Sequence, residues 1–419
     1  MSKNNLLSRL DSEMFEAVWQ IGRQADQKNL RAYVVGGVVR DLLLRKQKVF
    51  DVDVVIEGDV IDFARELAVF FKAESVLHPE FRTATLFFKD GMTIDLVGAR
   101  SEKYDRPGAL PHVAPGTIGE DLFRRDFTIN SVAIQINRAK FGAVVDFFGG
   151  TEDLKNKVIR VMHAKSFVDD PTRIIRAIRF EQRFGFSIEE ETLKLLKQAV
   201  RQDAPSTVSR PRYFSQFQLM LTEANPFNNI TRLQEFKAYD FLTRVNLEKV
   251  HVLQRHLTAD KKLRCTNEQR MMLYLLAMAD KVPLSGLSAH LDKFQLTKEE
   301  RALFNKLDTL DHIEGQLKNS KLPTSHAYSL LKPLEETLIW YLYYRTNKIS
   351  IRRHIEDHLA ETRDIRLLIN GDDVKMLGCK AGTKVNTVLQ SVLYRKLDGE
   401  INGRKQELAF AEEILGGLK

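Results

Sequence analysis

One short run near the start of the chain, Ala32-Tyr33-Val34-Val35-Gly36-Gly37-Val38-Val39-Arg40-Asp41, constrains the fold more than any other feature. An apolar, β-branched segment that meets two glycines and then turns amphipathic reads as strand, tight turn and helix. The strand is expected over Ala32 to Val35 and the helix over Val38 to Leu44. The glycine pair lets the backbone approach a bound anion closely, and the first amides of the helix aim at it. Arg40, one turn in, adds a guanidinium suited to bidentate phosphate contact. A second strand, Val49 to Ile56, carries Asp51 and Asp53. Side chains at i and i+2 of a strand share a face, so these carboxylates converge. Their repulsion is relieved when hard divalent cations such as Mg²⁺ bridge them to phosphate oxygens. A phosphate turn feeding a carboxylate pair is the minimal equipment for moving a nucleotidyl group.

The chain has 419 residues, with 64 lysines and arginines against 56 acidic residues, a net charge of +8. This length suggests roughly two to four domains. The positive excess permits a polyanionic partner without requiring one. Cys265 and Cys379 lie far apart with neither disulfide-framework nor zinc spacing, so a reducing compartment is expected. The polar segment Met1 to Asn29 lacks the apolar core of a signal peptide, and no run of about 18 apolar residues could cross a bilayer. A cytoplasmic protein without membrane association is the expectation.

Periodicity changes along the chain. The first ~150 residues mix strand and helix patterns, and the remainder is almost entirely helical in period. Further strands are expected at Thr83 to Phe88, Met92 to Val97 and Ser131 to Ile136, with a helix at Val60 to Phe71. Prolines and glycines mark Tyr104 to Gly116 as a loop, and Thr117-Ile118-Gly119-Glu120 forms a capping box that opens a short helix.

Three further constellations carry chemistry. In Arg124-Arg125-Asp126-Phe127-Thr128-Ile129-Asn130, adjacent arginines ahead of a strand can bind a triphosphate and a ribose. Asp146-Phe147-Phe148-Gly149-Gly150-Thr151-Glu152-Asp153-Leu154 closes the mixed segment with paired glycines, the pattern of a hinge. In Asp169-Asp170-Pro171-Thr172-Arg173, Asp170 is placed to N-cap a helix with Pro171 at its first position. Asp170 and Arg173 then share one helical face, with Ile174, Ile175 and Ile178 on the other. An acceptor beside a donor complements the pairing edge of cytosine or adenine and opposes that of uracil or guanine. Such a mismatch in a closed site supports discrimination of up to ~10⁴ to 10⁵.

In this order, GGVVRD with DVD, RRDFTIN, DFFGGTEDL and DDPTRIIRAIRF resemble the class II tRNA nucleotidyltransferase and bacterial poly(A) polymerase family, which includes the CCA-adding enzymes. The tail segment Asn370-Gly371-Asp372-Asp373-Val374, with Leu377, Gly378, Gly382 and Leu397-Asp398-Gly399-Glu400, is similar to the C-terminal region of CCA-adding members. The resemblance implies an α/β nucleotidyltransferase head with a polymerase-beta-like mixed sheet at 1–150. A helical neck at 151–220, a helical body at 221–350 and a helical, tRNA-binding tail at 351–419 would follow. It implies that Asp51 and Asp53 ligate two Mg²⁺ ions, with Asp95 as a third acid near them. Gly36, Gly37, Arg40, Arg124 and Arg125 would hold the triphosphate and ribose, positioned by Asp126. Asn130, Arg176 and Arg179 belong to the same motifs and are nucleotide-site candidates. Asp170 and Arg173 would act as a protein template for the incoming base. The implied reaction adds CCA to the 3′ end of tRNA from CTP and ATP. The loop from Ser101 to Gly116 is similar to that of full CCA-adding and of A-adding members, so A-only addition ranks second. CC-only addition, poly(A) synthesis and an RNA-binding protein with a decayed head rank below it. The partner would be tRNA, held at its acceptor and T-arm by shape and phosphate contacts, for which Arg352, Arg353, Arg404 and Lys405 are candidates; no obligate protein partner is evident. The neck departs from the family. Where relatives carry a Glu-Arg pair and a further acid, this chain has Ser209-Arg210-Pro211-Arg212-Tyr213-Phe214-Ser215-Gln216, which questions how the templating helix is braced.

Overall fold

In the computed structural model the described residues are 5–45, 51–239, 245–261, 265–282, 292, 294, 296–379 and 383–417, with positions 51, 383 and 417 described by backbone alone. They divide into two compact units, Met1–Asp240 and Phe241–Lys419.

The first unit is built on a mixed sheet. Its strands are β1 (Arg31–Val35), β2 (Asp51–Glu57), β3 (Glu74–His78), β4 (Thr83–Phe87), β5 (Thr93–Gly98), β8 (Ala133–Gln135) and β9 (Ala143–Val145), in the spatial order β3-β4-β5-β2-β1-β8-β9. β2 and β5 run parallel, and every other neighbouring pair is antiparallel. Between them β6 (Arg100–Lys103) and β7 (His112–Pro115) form a separate two-stranded ribbon.

Alternation along the strands divides the core. Val34, Val54, Leu86 and Leu96 point to one face, where α1 (Ser12–Gln27) and α3 (Val60–Phe71) bring Val18, Ile21, Phe63 and Leu67. Each of these fully buried aliphatic side chains contributes about 1.5–3 kcal/mol from removal of its surface from water. On the other face, Tyr33, Val35 and Val55 pack against Ile118 and Leu122 of α4 (Ile118–Phe123). The expected capping box is present at α4: Glu120 N–H donates to the Thr117 hydroxyl, and the Glu120 carboxylate accepts from Thr117 N–H at 2.8 Å.

The rest of the unit is mostly helical, with α5 (Gly150–Asn156), α6 (Ser166–Asp169), α7 (Thr172–Phe184), α8 (Glu190–Arg201), α9 (Arg210–Leu221) and α10 (Pro226–Glu235), and one short parallel pair, Val158–Ile159 with Ser187–Ile188. Three expectations need correction. Tyr104 to Gly116 is not all loop, because His112–Pro115 pairs with β6; all four residues of β7 are exposed, so burial leaves no alternation to read. The Asp146 to Leu154 segment is a packed helix start and not an open hinge. The Asp146 carboxylate accepts from the N–H groups of Gly150 and Thr151, and a Cβ on Gly150 would lie 2.1 Å from the Thr128 carbonyl. The N-cap of α7 is Pro171, one residue later than expected, although the Asp170 carboxylate still accepts from Thr172 N–H at 3.1 Å.

In the second unit the described elements are helical. Buried Arg345 donates to Asp280 at 3.3 Å and to Glu314 at 2.8 Å, a charge cluster completed by the Tyr341 hydroxyl on Asp280. Asn370 and Asp373 form a capping box for Gly371–Met376, while Gly382 lies outside the described residues. Arg352 donates to the carbonyls of Tyr343 and Thr346, and Arg404 to Asp373, so both hold local structure; Arg353 and Lys405 are exposed. No helix among the described residues is long and apolar enough to cross a membrane.

Candidate active site

The turn after β1 gathers the site. Gly36 has φ +73°, a left-handed conformation that strains any side chain, and precedes α2 (Gly37–Leu43). A Cβ there would lie 2.9 Å from Arg125 Nη1 and 3.6 Å from Asp53 Oδ2. The glycine turn, the carboxylate strand and the arginine pair therefore meet at one backbone position. They line a cleft of about 600 Å³ whose far wall is α7 and α9.

Asp53 stands in register with Val35 of β1 and Asp95 of β5. The Asp95 carboxylate accepts from the Thr85 hydroxyl at 2.6 Å, and Asp95 is not part of the cleft lining. Asp51 pairs with Thr93 in the backbone ladder; its side chain lies outside the described residues. Among the described residues no three His, Cys, Asp or Glu side chains are grouped to hold a metal. The carboxylate oxygens of Asp53, facing a cleft rich in arginine, are the hard donors that a cation accompanying a phosphate takes.

Two ionic networks set the cationic walls. Fully buried Asp121 accepts from Arg124 Nη2 at 2.7 Å and Arg125 Nη2 at 2.9 Å, while Arg124 Nη1 also donates to Glu102 at 3.0 Å. Burial pushes the Asp121 carboxyl up, but the two guanidinium groups outweigh it and hold it below its ordinary range. In the second network Arg40 donates to Asn130 Oδ1 at 2.6 Å, Asn130 donates to Asp126 Oδ1 at 2.9 Å, and Asp126 Oδ2 accepts from Arg176 Nε at 2.8 Å. Burial again opposes ionisation of Asp126, and Arg176 with Asn130 reverses the balance, leaving the carboxyl below its usual range. Arg40 also lies over the rings of Phe184 and Phe180, at 4.8 and 5.5 Å from their centroids. With two of its five donors held by Asp41 and Asn130 and its plane stacked, Arg40 is a preset anchor.

Asp170 and Arg173 stand together in the same cleft. The hydrogen bonds that Asp170 accepts fall on Oδ1, from Thr172 and from Arg212 Nη2 at 2.9 Å. Arg173 is buried; Nη1 donates to Ser166 Oγ and Nη2 to the Arg124 carbonyl, each at 2.9 Å. A guanidinium has five N–H donors, so three remain for a ligand.

All expected site residues line the cleft except Asp95, Arg179 and Asp51, whose side chain is not described. Arg179 instead pairs with Glu223 at 3.5 Å, and burial, reinforced by neighbouring Arg176, pulls its guanidinium down to about 10. Sequence reasoning missed Arg100, Glu102, Tyr104 and Gln216, which line the cleft. Tyr104 donates to Glu102 at 3.1 Å, and burial with the adjacent Glu102 charge raises its hydroxyl to about 12. Arg212 was visible only as part of an atypical segment. It joins the Asp170 carboxylate to the Gly108 carbonyl, the latter at 2.7 Å.

Residues 32–160 match the family model described as the poly A polymerase head domain, a stretch that runs from β1 through α5. Along most of its length the chain is 33% identical to the A-adding tRNA nucleotidyltransferase of Geobacter sulfurreducens, covering 94% of this chain and 46% of that protein. It is 29% identical to the A-adding tRNA nucleotidyltransferase of Halalkalibacterium halodurans, over 97% and 93% of the two chains. A solved structure of the Thermotoga maritima CCA-adding enzyme complexed with tRNA superposes with TM-score 0.78 at 33% identity, covering 99% of this chain and 98% of that one. The chain belongs to the tRNA nucleotidyltransferase family of A-adding and CCA-adding enzymes. It spans about half the length of the Geobacter relative.

Proposed function

We propose that this chain adds CCA to the 3′ end of tRNA, taking CTP and ATP and releasing pyrophosphate without a nucleic-acid template. The observation that carries this reading is the presence of Asp170 and Arg173 in the cleft that also holds Asp53 and the Gly36 turn. A nucleoside triphosphate laid along that cleft has its phosphates at Arg40, Arg124 and Arg125 and its base at Asp170 and Arg173. The carboxylate accepts from the amino group of cytosine or adenine, and the guanidinium donates to the ring nitrogen beside it. Asp51 and Asp53 would hold Mg²⁺, which when bound supplies positive charge at the phosphoryl oxygens. The 3′-terminal oxygen of the RNA bonds to the α-phosphorus as the bond to the pyrophosphate oxygen breaks. The arginine walls then offset the charge on the departing pyrophosphate. The helical region beyond residue 240 is assigned the acceptor and T-arm of tRNA, by shape and phosphate contacts, in a cytoplasmic enzyme.

Addition of A alone is the second reading, favoured by the names of the Geobacter and Halalkalibacterium relatives. One assay separates the two. Purified protein is incubated with tRNA transcripts ending before C74, after C74 and after C75, each with CTP or ATP alone. CCA addition requires C incorporation on the first two transcripts and A on the third; A on the third with no C on the others establishes A-only addition.

A further inference from the structure

The face of the sheet that carries Asp53 is only half covered. Towards β1 and β8 it is sealed by Ile118 and Leu122 of α4. In the opposite direction the ladder runs outward from the site in continuous rows: Asp53 beside Asp95, Asp95 beside Thr85, and Thr85 beside Val76. A second row, one pleat along, runs from Asp51 to Thr93, Phe87 and Glu74. Ile94, Leu96, Ala84 and Leu86 belong to the other face and are buried there, while Val97 on the Asp53 face packs against the cluster under α4. Two large apolar side chains remain on the Asp53 face in the open: Phe87, 41% exposed, and Val76, 46% exposed. Residues facing solvent on a sheet are ordinarily polar, and these two lie on the rows that lead to the carboxylate pair.

We propose that Phe87, flanked by Val76, is the platform on which the base of the RNA's 3′-terminal nucleotide stacks while its hydroxyl reaches Asp53. The inference rests on the function proposed above and names where its second substrate lies. Distance supports it. Neighbouring strands are about 4.8 Å apart, so Phe87 on β4 sits two strands, about 10 Å, from the Asp51 row of β2 and one pleat from the Asp53 row, within the reach of a nucleotide whose 3′ oxygen lies at the carboxylates. Continuity supports it as well, since the platform and the carboxylates share one face of one sheet with no intervening element among the described residues of this unit. Chemistry supports it third. The terminal base differs from one round of addition to the next, and a π face accepts any base, whereas a hydrogen-bonding pocket would reject most of them. Phe87 is thus a positioning residue for the attacking strand, separate from the groups that choose the incoming nucleotide.

The test uses full-length protein and a tRNA transcript carrying 2-aminopurine as its last nucleotide. Binding should quench its fluorescence, and Phe87→Ala should remove that quench while Phe87→Trp retains it. In steady-state assays Phe87→Ala should raise the KM for the transcript roughly five- to 150-fold, the range for loss of one base stack, with the KM for the triphosphate unchanged. Melting temperatures within error of the parent separate positioning from folding. If the parent adds nucleotides and Phe87→Ala keeps both quench and transcript KM, the platform is wrong and the function stands. If the parent adds no nucleotide to any transcript, the proposed function fails first.

Discussion

Arg212 and Asp170 lie 42 residues apart in sequence, and Arg212 Nη2 donates to Asp170 Oδ1 at 2.9 Å. The same guanidinium holds the Gly108 carbonyl, so the ribbon of β6 and β7, the start of α7 and helix α9 are fastened at one point. Gly108 has φ +68°, and a Cβ there would lie 2.4 Å from Thr207 Oγ1, so the loop closes on this corner only with glycine. Gln216, one turn further along α9, accepts from Arg176 at 3.3 Å. The segment that departs from the family pattern therefore braces α7 by its own means.

Arg212→Ala should loosen the Asp170 carboxylate, leaving it held by Thr172 alone. Loss of one charged hydrogen bond is worth about 1.5–3 kcal/mol, so the preference for ATP over UTP should fall by roughly tenfold or more. Competitive incorporation with both triphosphates measures it, and an unchanged ratio removes Arg212 from base selection.

Asp53→Ala should abolish incorporation. Filter binding should find tRNA affinity within about twofold of the parent, because the lost group acts in the chemical step. Appreciable activity in this variant would contradict the two-metal reading.

Arg173→Ala removes the donor that opposes the pairing edge of uracil and guanine. UTP and GTP should then be incorporated where the parent rejects them, read by sequencing of extended transcripts. The carbonyl of Arg124 also loses its partner, so kcat should fall for all four nucleotides.

Asp126 carries a pH signature. Its folded carboxyl lies below the ordinary range, so it favours the folded state above the unfolded value near ~4 and loses that contribution as pH falls through the folded value. Melting temperature should therefore drop between about pH 5 and pH 2, and Asp126→Asn should flatten that drop. At pH 7 the same variant leaves the half-buried Arg176 guanidinium against a neutral partner, with a destabilisation of about 1.5–3 kcal/mol.

Much of the site was legible because its parts are local. Gly36 to Arg40, Asp51 with Asp53, and Asp170 with Arg173 are each set by the period of one strand or one helix turn. Asp121 was not legible. An acid in the first turn of α4 reads as a complement to the helix dipole, and only folding shows it fully buried between Arg124 and Arg125. Arg212 and Tyr104 were hidden for the same reason, since their meaning depends on a meeting between the ribbon and helices from later in the chain. In the sheet, β1 announces itself by a continuous apolar run and β5 by alternation, whereas β3 exposes Glu74, Val76 and His78 and resembles a surface turn.

The bond from Arg173 Nη2 to the carbonyl of Arg124 ties the two ends of the cleft through a single residue, since the Arg124 side chain lines the phosphate wall. Under the proposed function, the distance between the group that would read the base and the wall that would hold the phosphates is set by that hydrogen bond and the covalent geometry of Arg124. A purine and a pyrimidine differ in width, so two such nucleotides gripped by the same anchor present their edges at different depths. Under the proposed function, a cleft of one length therefore meets the two kinds of base edge differently.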